Sequence, residues 1–99
     1  MSDLTPVIFR KSEREIVAVF PYDPGDISAV TMGCYAHFGQ HAACAVEWYR
    51  TTKPATPEEY ADLKRELEAA PYEYRFKVLR RIPSDAYAQR RANLGQRNT

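Results

Sequence analysis

The chain has 99 residues, of which 44% are hydrophobic and 27% are charged, and its formal net charge is +1. This length accommodates one hydrophobic core, and the composition is typical of a globular domain, not of a disordered or collagen-like chain. No apolar run reaches the ~20 residues that a membrane-spanning helix requires, and the N-terminus lacks the layout of a secretory signal. We therefore expect a single cytoplasmic domain over residues 1–95 and a disordered tail at 96–99.

The charges are distributed unevenly along the chain. Residues 73–99 contain seven Lys or Arg and two acidic residues, a net charge of +5, whereas residues 1–72 contain seven Lys or Arg and eleven acidic residues, a net charge of −4. Such an asymmetry bears on the partners of a protein and not on its fold.

Two segments rich in Val, Ile and Phe, Thr5–Lys11 and Glu15–Phe20, are joined by a polar stretch and predict a β-hairpin. Their central residues are apolar at consecutive positions, so both faces of these strands require cover. One helix of about 14 residues covers only one face, and we therefore expect a symmetric homodimer.

The middle of the chain predicts a loop and at least one further strand. Segment Pro21–Asp26 contains two prolines, a glycine and two Asp, which predicts a surface loop. Val30–Phe38 alternates between apolar and other residues, which predicts a half-buried strand. For Ala42–Tyr49 the pattern is compatible with a fourth, antiparallel strand and equally with a short helix.

The strongest signal is for a helix over Thr56–Ala70. Thr56 is a good N-cap, Pro57 occupies the first helical position, and Glu59 stands three residues after the cap. An apolar face with helical spacing follows. Its residues are Tyr60, Leu63, Leu67 and Ala70.

After Pro71, Tyr72–Ile82 predicts a strand with Tyr74, Phe76, Val78 and Ile82 on its inner face. A short terminal helix over Ala86–Asn93 can follow. The predicted fold class is α+β with the order β-β-β-β-α-β, a mostly antiparallel sheet and one main helix packed on it.

Two segments resemble a family of small uncharacterised bacterial proteins with no established activity. They are YAHFGQH, over Tyr35–His41, and TKPATPEEY, over Thr52–Tyr60. The resemblance covers about residues 7–82 and implies a bacterial setting. It brings no catalytic residue and no cofactor.

Cys34 and Cys44 predict buried, reduced thiols, because a chain that builds its own core needs no disulfide framework. With His37 and His41 they also form a set of four zinc-type ligands. The odd spacing of Cys34 and His37 sends them to opposite faces of a strand, and paired ligand hooks are missing. We therefore predict no metal and no cofactor.

A polar cluster around the turn at 39–41 is a candidate ligand site formed by Tyr35, His37, Gln40 and His41. Imidazoles titrate near neutral pH and bind ligands or carry protons. The alternative is that the histidines hydrogen-bond the turn backbone and stabilise its shape. The four glycines are scattered singly, and the sequence contains no nucleophile elbow or phosphate-binding loop, which favours a protein that is not an enzyme.

The basic C-terminal third is a candidate nucleic-acid interface formed by Arg75, Lys77, Arg81, Arg90 and Arg91. Cations at alternate positions of a strand form a stripe that phosphates can contact. The alternative is a solubilising surface paired with the acidic helix. The sequence thus predicts a non-enzymatic binding or accessory module for a protein or nucleic-acid partner, with ligand or metal binding at the His37/His41 turn as the alternative.

Overall fold

The protein is described from a computed structural model, which covers residues 4–13, 15–26, 28–36 and 40–97. Within these residues six strands and three helices follow one another. In chain order they are β1 (Thr5–Ser12), β2 (Glu15–Phe20), β3 (Thr31–Ala36), β4 (Gln40–Ala45), α1 (Val46–Arg50), β5 (Lys53–Pro54), α2 (Pro57–Glu68), β6 (Phe76–Leu79) and α3 (Ala86–Arg97).

The six strands form one sheet in the order β4-β3-β2-β1, with two short strands sharing the outer side of β1. Strand β5 pairs antiparallel with Arg10 and Lys11, and β6 pairs parallel with Thr5–Ile8. All other neighbours are antiparallel. The predicted α+β class and mostly antiparallel sheet are confirmed.

The segment for which the sequence left strand and helix open contains both. Strand β4 runs to Ala45, and the Val46 N–H donates to the Val30 carbonyl at 3.2 Å before the chain turns into α1. Tyr49 of this one-turn helix is buried on the sheet. The strand pattern and the helix pattern are therefore both correct, the first for the residues up to Ala45 and the second for those that follow.

Helix α2 begins as predicted. The Thr56 hydroxyl accepts a hydrogen bond from the Glu59 N–H, and the Glu59 carboxylate accepts one from the Thr56 N–H. The helix ends at Glu68, two residues earlier than predicted, because Ala69 is already extended, ahead of the Ala70–Pro71 bond. A residue that precedes proline is disfavoured in the helical region, so the early end is expected.

Strand β6 is shorter than the predicted Tyr72–Ile82. Its register with β1 covers only Phe76–Leu79, and Glu73 has a φ of 55°, which a strand does not tolerate. Val78, predicted to point inward, is 38% exposed, whereas Leu79, predicted to point outward, packs on the sheet. Segments of the chain pack on both faces of the sheet, so an alternating sequence pattern does not show which residues of β6 are buried.

The sheet has an apolar core on each face. The α2 face contains Phe9, Phe20 and Tyr35 packed against Leu63 and Leu67. The opposite face has its own cluster, with α1 and the residues after β6 packed on it. The members of that cluster are Ile8, Val17, Val19, Met32, Cys34, Cys44 and Tyr49, with Val46, Trp48, Leu79 and Ile82 beside them. The described chain therefore covers the second face itself, which removes the argument from which the homodimer was predicted.

Segment 21–26 was predicted as a surface loop, but Pro21 and Pro24 are fully buried. The segment folds back onto the strands at Gly25, where a Cβ would lie 2.6 Å from the Ala43 Cβ and from the Met32 carbonyl oxygen. Only glycine allows this close approach.

The C-terminal helix α3 extends to Arg97, so the first two residues of the predicted tail are helical. The remaining two, at 98–99, lie outside the described residues. Over the part of the chain that is described, no helix has both the length and the apolar composition needed to span a membrane.

Candidate functional site

Tyr35, predicted as part of a ligand site, is 1% exposed and belongs to the core on the α2 face. Its hydroxyl donates to the Glu66 carboxylate and lies 3.5 Å from the Tyr72 hydroxyl. The rings of Tyr35 and Tyr72 meet edge to face with centroids 5.4 Å apart. Tyr35 is therefore the centre of a polar cluster between the sheet and α2.

The structure describes the other members of the predicted ligand site only in part. His37 lies outside the described residues. The backbone of Gln40 and His41 belongs to β4, where Gln40 pairs with Ala36 and His41 pairs with Tyr35. Strand β4 thus places the backbone of His41 directly opposite that of Tyr35.

A cleft of about 290 Å³ opens on the α2 face of β3 and β4. Phe20 and Tyr74 form its aromatic side, and Asp23 brings a carboxylate to it beside Gly33. The Asp23 backbone is held there by the Gly33 N–H, which donates to the Asp23 carbonyl at 2.8 Å. The aromatic side of the cleft can contact the apolar part of a small ligand.

The sequence missed Glu66 and Tyr72 as members of this region. Position 66 adjoins the apolar face of α2 between Leu63 and Leu67, so its carboxylate can turn toward the sheet. That position was the available signal. Tyr72 follows the end of the helix, and no periodic pattern in the sequence predicts that it lies beside Tyr35.

Cys34 and Cys44 form a disulfide, which corrects the prediction of reduced thiols. In the β3–β4 register Cys34 pairs with Ala42 and Met32 pairs with Cys44, so the two cysteines are diagonal neighbours on one face. Their Cα atoms are 6.1 Å apart, within the range that a disulfide bridges. Bonded to each other, the two sulfurs are not thiolates, and the four-ligand zinc set loses half of its members.

The basic segment consists of Arg75, Lys77, Arg80 and Arg81, and all four residues are exposed. Arg75 and Lys77 flank Phe76 on the face opposite α2, while Arg80 and Arg81 follow the end of β6. None of the four forms an ion pair or a side-chain hydrogen bond within the described part of the chain. The predicted stripe is thus a short basic segment, of which only Lys77 lies within the strand.

Three of the acidic residues of α2 pair with cations outside the basic segment. Lys11 donates to Glu59 at 2.5 Å, Lys64 to Glu68 at 2.7 Å, and Arg65 to Asp62 at 3.1 Å. Hydrogen bonds from Lys11 and from the Thr56 backbone lower the pKa of the Glu59 carboxyl. In the described residues the acidic helix therefore does not neutralise the basic segment, as the alternative interpretation requires.

Arg90 does not belong to an exposed interface. It is 3% exposed, its Nε donates to the Ala29 carbonyl at 2.6 Å, and its Nη1 donates to the Pro21 carbonyl at 2.7 Å. Burial lowers the pKa of its guanidinium, and the neighbouring Tyr87 opposes this shift. Arg90 is corrected from a nucleic-acid contact to a residue that anchors α3, whereas Arg91 is exposed, with its guanidinium 5.9 Å from the Tyr87 ring centroid.

A second buried arginine, Arg10, went unrecognised in the sequence. Its guanidinium donates to the Thr52 hydroxyl at 2.8 Å and to the Thr52 carbonyl at 2.7 Å, and it lies 4.4 Å from the Tyr49 ring centroid. Burial raises the pKa of Tyr49, and the charge of Arg10 partly offsets this. The residue joins β1 to the end of α1 and is not available to a partner.

A cavity of about 380 Å³ lies beside the basic segment, where β5 and β6 meet at the edge of β1. Arg80 lines it together with Val78 and the stacked rings of Phe9 and Tyr60, whose centroids are 4.2 Å apart. A cation that has no ion pair among the described residues thus adjoins an aromatic and apolar wall.

Comparison of the chain with protein-family models, with curated proteins and with solved structures finds no match. The resemblance to a small bacterial family therefore stays a prediction.

Proposed function

We propose that the protein is a non-enzymatic binding module whose basic segment, Arg75, Lys77, Arg80 and Arg81, binds nucleic acid through its phosphates. The observation that carries this proposal is that four exposed cations within seven residues have no ion pair among the described residues. Cations that neutralise phosphates release condensed counterions, and this release supplies most of the affinity of non-specific binding.

The cavity beside Arg80 supports single-stranded nucleic acid as the preferred form. Proteins that bind single strands combine a basic track with aromatic side chains on which bases stack. Tyr60 lies next to Arg80 and is only half buried, whereas Phe9 is 3% exposed, so Tyr60 is the ring on which a base can stack. The bases of a double helix are stacked on one another, so a duplex presents no free base face to an aromatic side chain.

The proposal is tested by titrating labelled single- and double-stranded oligonucleotides and recording fluorescence anisotropy. Four phosphate contacts on a single strand predict a salt slope of about −2.8, or roughly 50-fold weaker binding at about 200 mM than at about 50 mM salt. In Arg75→Ala/Lys77→Ala/Arg81→Ala we expect affinity at low salt to fall at least about 10-fold and the slope to flatten by about 0.7 per lost contact, to about −0.7.

A matched control separates this surface from the effect of net charge alone. Arg50→Ala/Lys64→Ala/Arg65→Ala removes three exposed or partly exposed cations from α1 and α2 and leaves the basic segment intact. We expect this variant to bind within about 2-fold of the parent, because these cations lie outside the basic segment and the cavity beside Arg80, and cations that contact no phosphate release no counterions. Equal losses in both variants, or no binding even at low salt, would remove nucleic acid as the partner and leave a protein.

The cleft on β3 and β4, the two strands that flank His37 in the sequence, supports a second candidate function, the binding of a small ligand or metal at the His37/His41 turn. Metal analysis of the purified, desalted protein tests the metal form of this idea. We expect much less than one metal ion per chain, because Cys34 and Cys44 are bonded to each other. One tightly held zinc per chain, with unfolding on its removal, would establish the alternative.

Homodimerisation and a cytoplasmic location both remain predictions. The apolar face that suggested a dimer is covered by α1 and by residues that follow β6. The disulfide weighs against a cytoplasmic location, since disulfides persist chiefly in oxidising compartments.

A further inference from the structure

Strand β4 forms an open edge of the sheet. In the described residues it pairs only with β3, and no strand lies on its outer side. Its six residues contain no Lys, Arg, Asp, Glu or Pro, and the side chains of Ala42, Ala43 and Ala45 are exposed. Natural proteins usually protect such an edge with charges, prolines or a covering segment, because its unpaired backbone groups attract another strand.

The hydrogen-bond pattern identifies which groups face outward. The Val46 N–H donates to the Val30 carbonyl, so the alternation of an antiparallel ladder directs the backbone groups of Cys44 and Ala42 toward β3. Two bonds on the other side of β3 agree with this alternation. The Gly33 N–H donates to the Asp23 carbonyl, and the Thr31 carbonyl accepts from the Gly25 N–H, both away from β4.

The N–H and C=O of Ala43 and the N–H of Ala45 consequently point to the open edge. Neither residue has a hydrogen-bond partner on that side among the described residues. Unsatisfied backbone groups in a regular extended strand are a template for strand addition.

The opposite edge of the sheet differs in a way that singles out β4. Strand β6 has four residues, includes Lys77, and is flanked by Arg75, Arg80 and Arg81. Two copies of this edge would bring like charges together, which opposes pairing. Two copies of the uncharged β4 edge meet no such cost.

We propose that β4 is a dimerisation edge that pairs antiparallel with β4 of a second copy of this chain, about a two-fold axis at Ala43. Each Ala43 donates to and accepts from the Ala43 of the other copy. Each Ala45 N–H donates to the His41 carbonyl of the other copy, which makes four hydrogen bonds. The small side chains of Ala43 and Ala45 allow the backbones to approach at the normal strand spacing of ~4.8 Å.

This pairing gives one continuous sheet in which the β6 strands lie at opposite ends. The order β6-β1-β2-β3-β4 and its symmetric copy contain nine spacings, so the two basic segments stand roughly 43 Å apart. The interface does not depend on the nucleic-acid proposal, because the β4 edge contains no residue of the basic segment.

The test is light scattering coupled to size-exclusion chromatography, with sedimentation over micromolar to millimolar concentration. We expect a concentration-dependent species of twice 11.4 kDa. Ala43→Lys brings two ammonium groups together on the two-fold axis and should weaken dimerisation at least about 10-fold. Ala69→Lys, which adds the same charge at the exposed C-terminal end of α2, should leave it unchanged.

Amide hydrogen exchange provides a second readout on the unaltered chain. The Ala43 and Ala45 amides should become protected as the concentration rises, while exposed amides elsewhere do not change. A monomer at millimolar concentration, or a dimer equally strong in Ala43→Lys and Ala69→Lys, overturns the proposal.

Discussion

We expect replacement of Arg90 with alanine to lower the free energy of unfolding by about 2–3 kcal/mol, because hydrogen bonds from a charged donor contribute roughly 1.5–3 kcal/mol to stability. The substitution leaves the Ala29 and Pro21 carbonyls without the donors that reach them at 2.6 and 2.7 Å. It also opens a cavity where a side chain of 3% exposure stood.

The physical role of Arg90 is to hold α3 against segment 21–30. Two weaker contacts assist it: Asn93 donates to the Tyr22 carbonyl at 2.8 Å, and the Tyr22 hydroxyl donates to Asp85 at 2.9 Å. The hydrogen bond to Asp85 raises the pKa of Tyr22. These contacts are nearer the surface, so we expect each of them to stabilise the docked α3 less than Arg90 does.

The neighbouring residue offers a matched control. Arg91→Ala removes the same charge from an exposed position and should change the free energy of unfolding by no more than about 0.5 kcal/mol. Thermal unfolding measures the difference, since 2–3 kcal/mol corresponds to about 10–20 °C in a domain of this size.

Helix α3 could also detach before the rest of the chain unfolds, and amide exchange across residues 86–97 would then report the loss while the melting temperature stays high. Equal behaviour of Arg90→Ala and Arg91→Ala in both measurements would show that the buried guanidinium does not hold the helix. Arg90→Lys should fall between them, because an ammonium keeps the charge but cannot reproduce the guanidinium fork.

Removing the Cys34–Cys44 disulfide is the second large perturbation that we expect. The bond closes a loop with a sequence separation of 10. A loop of this size restricts the unfolded chain by about 3 kcal/mol, so Cys34→Ala/Cys44→Ala should melt about 10–20 °C below the parent.

Reduction of the parent protein should reproduce that shift, and the double variant should not respond to reductant. Intact-mass measurement and thiol titration on protein purified without reductant give the oxidation state directly. Two titratable thiols and an unchanged melting temperature with reductant would restore the prediction of buried, reduced cysteines.

The sequence by itself determined the elements whose signals are local. The capping residues Thr56 and Glu59 and the spacing of Leu63 and Leu67 placed α2 to within two residues of its end. The Val-, Ile- and Phe-rich composition of β1 and β2 and the alternation over β3 placed those strands, because both signals lie in neighbouring residues.

The sequence also showed correctly that both faces of the first hairpin need cover, since Val7, Ile8 and Phe9 are consecutive apolar residues and all are buried. It could not say what covers them. The chain supplies α2 on one face and α1 on the other, and this assignment depends on where distant segments pack.

Strand register was decided only by the tertiary structure, and with it the disulfide. Cys34 and Cys44 are diagonal neighbours because Ala42 pairs with Cys34, and a shift of one residue would have turned them to opposite faces. No local pattern specifies the register between β3 and β4.

For the candidate site, too, the sequence identified some residues and only the tertiary structure assigned the others. The sequence identified Arg75, Lys77 and Arg81 as exposed cations, because charged side chains in an edge strand and its flanks face solvent wherever they have no partner. It could not separate Arg90 from Arg91, which are adjacent and chemically identical. Only the packing of α3 on segment 21–30, which buries one side of that helix and exposes the other, distinguishes an anchor from a surface charge.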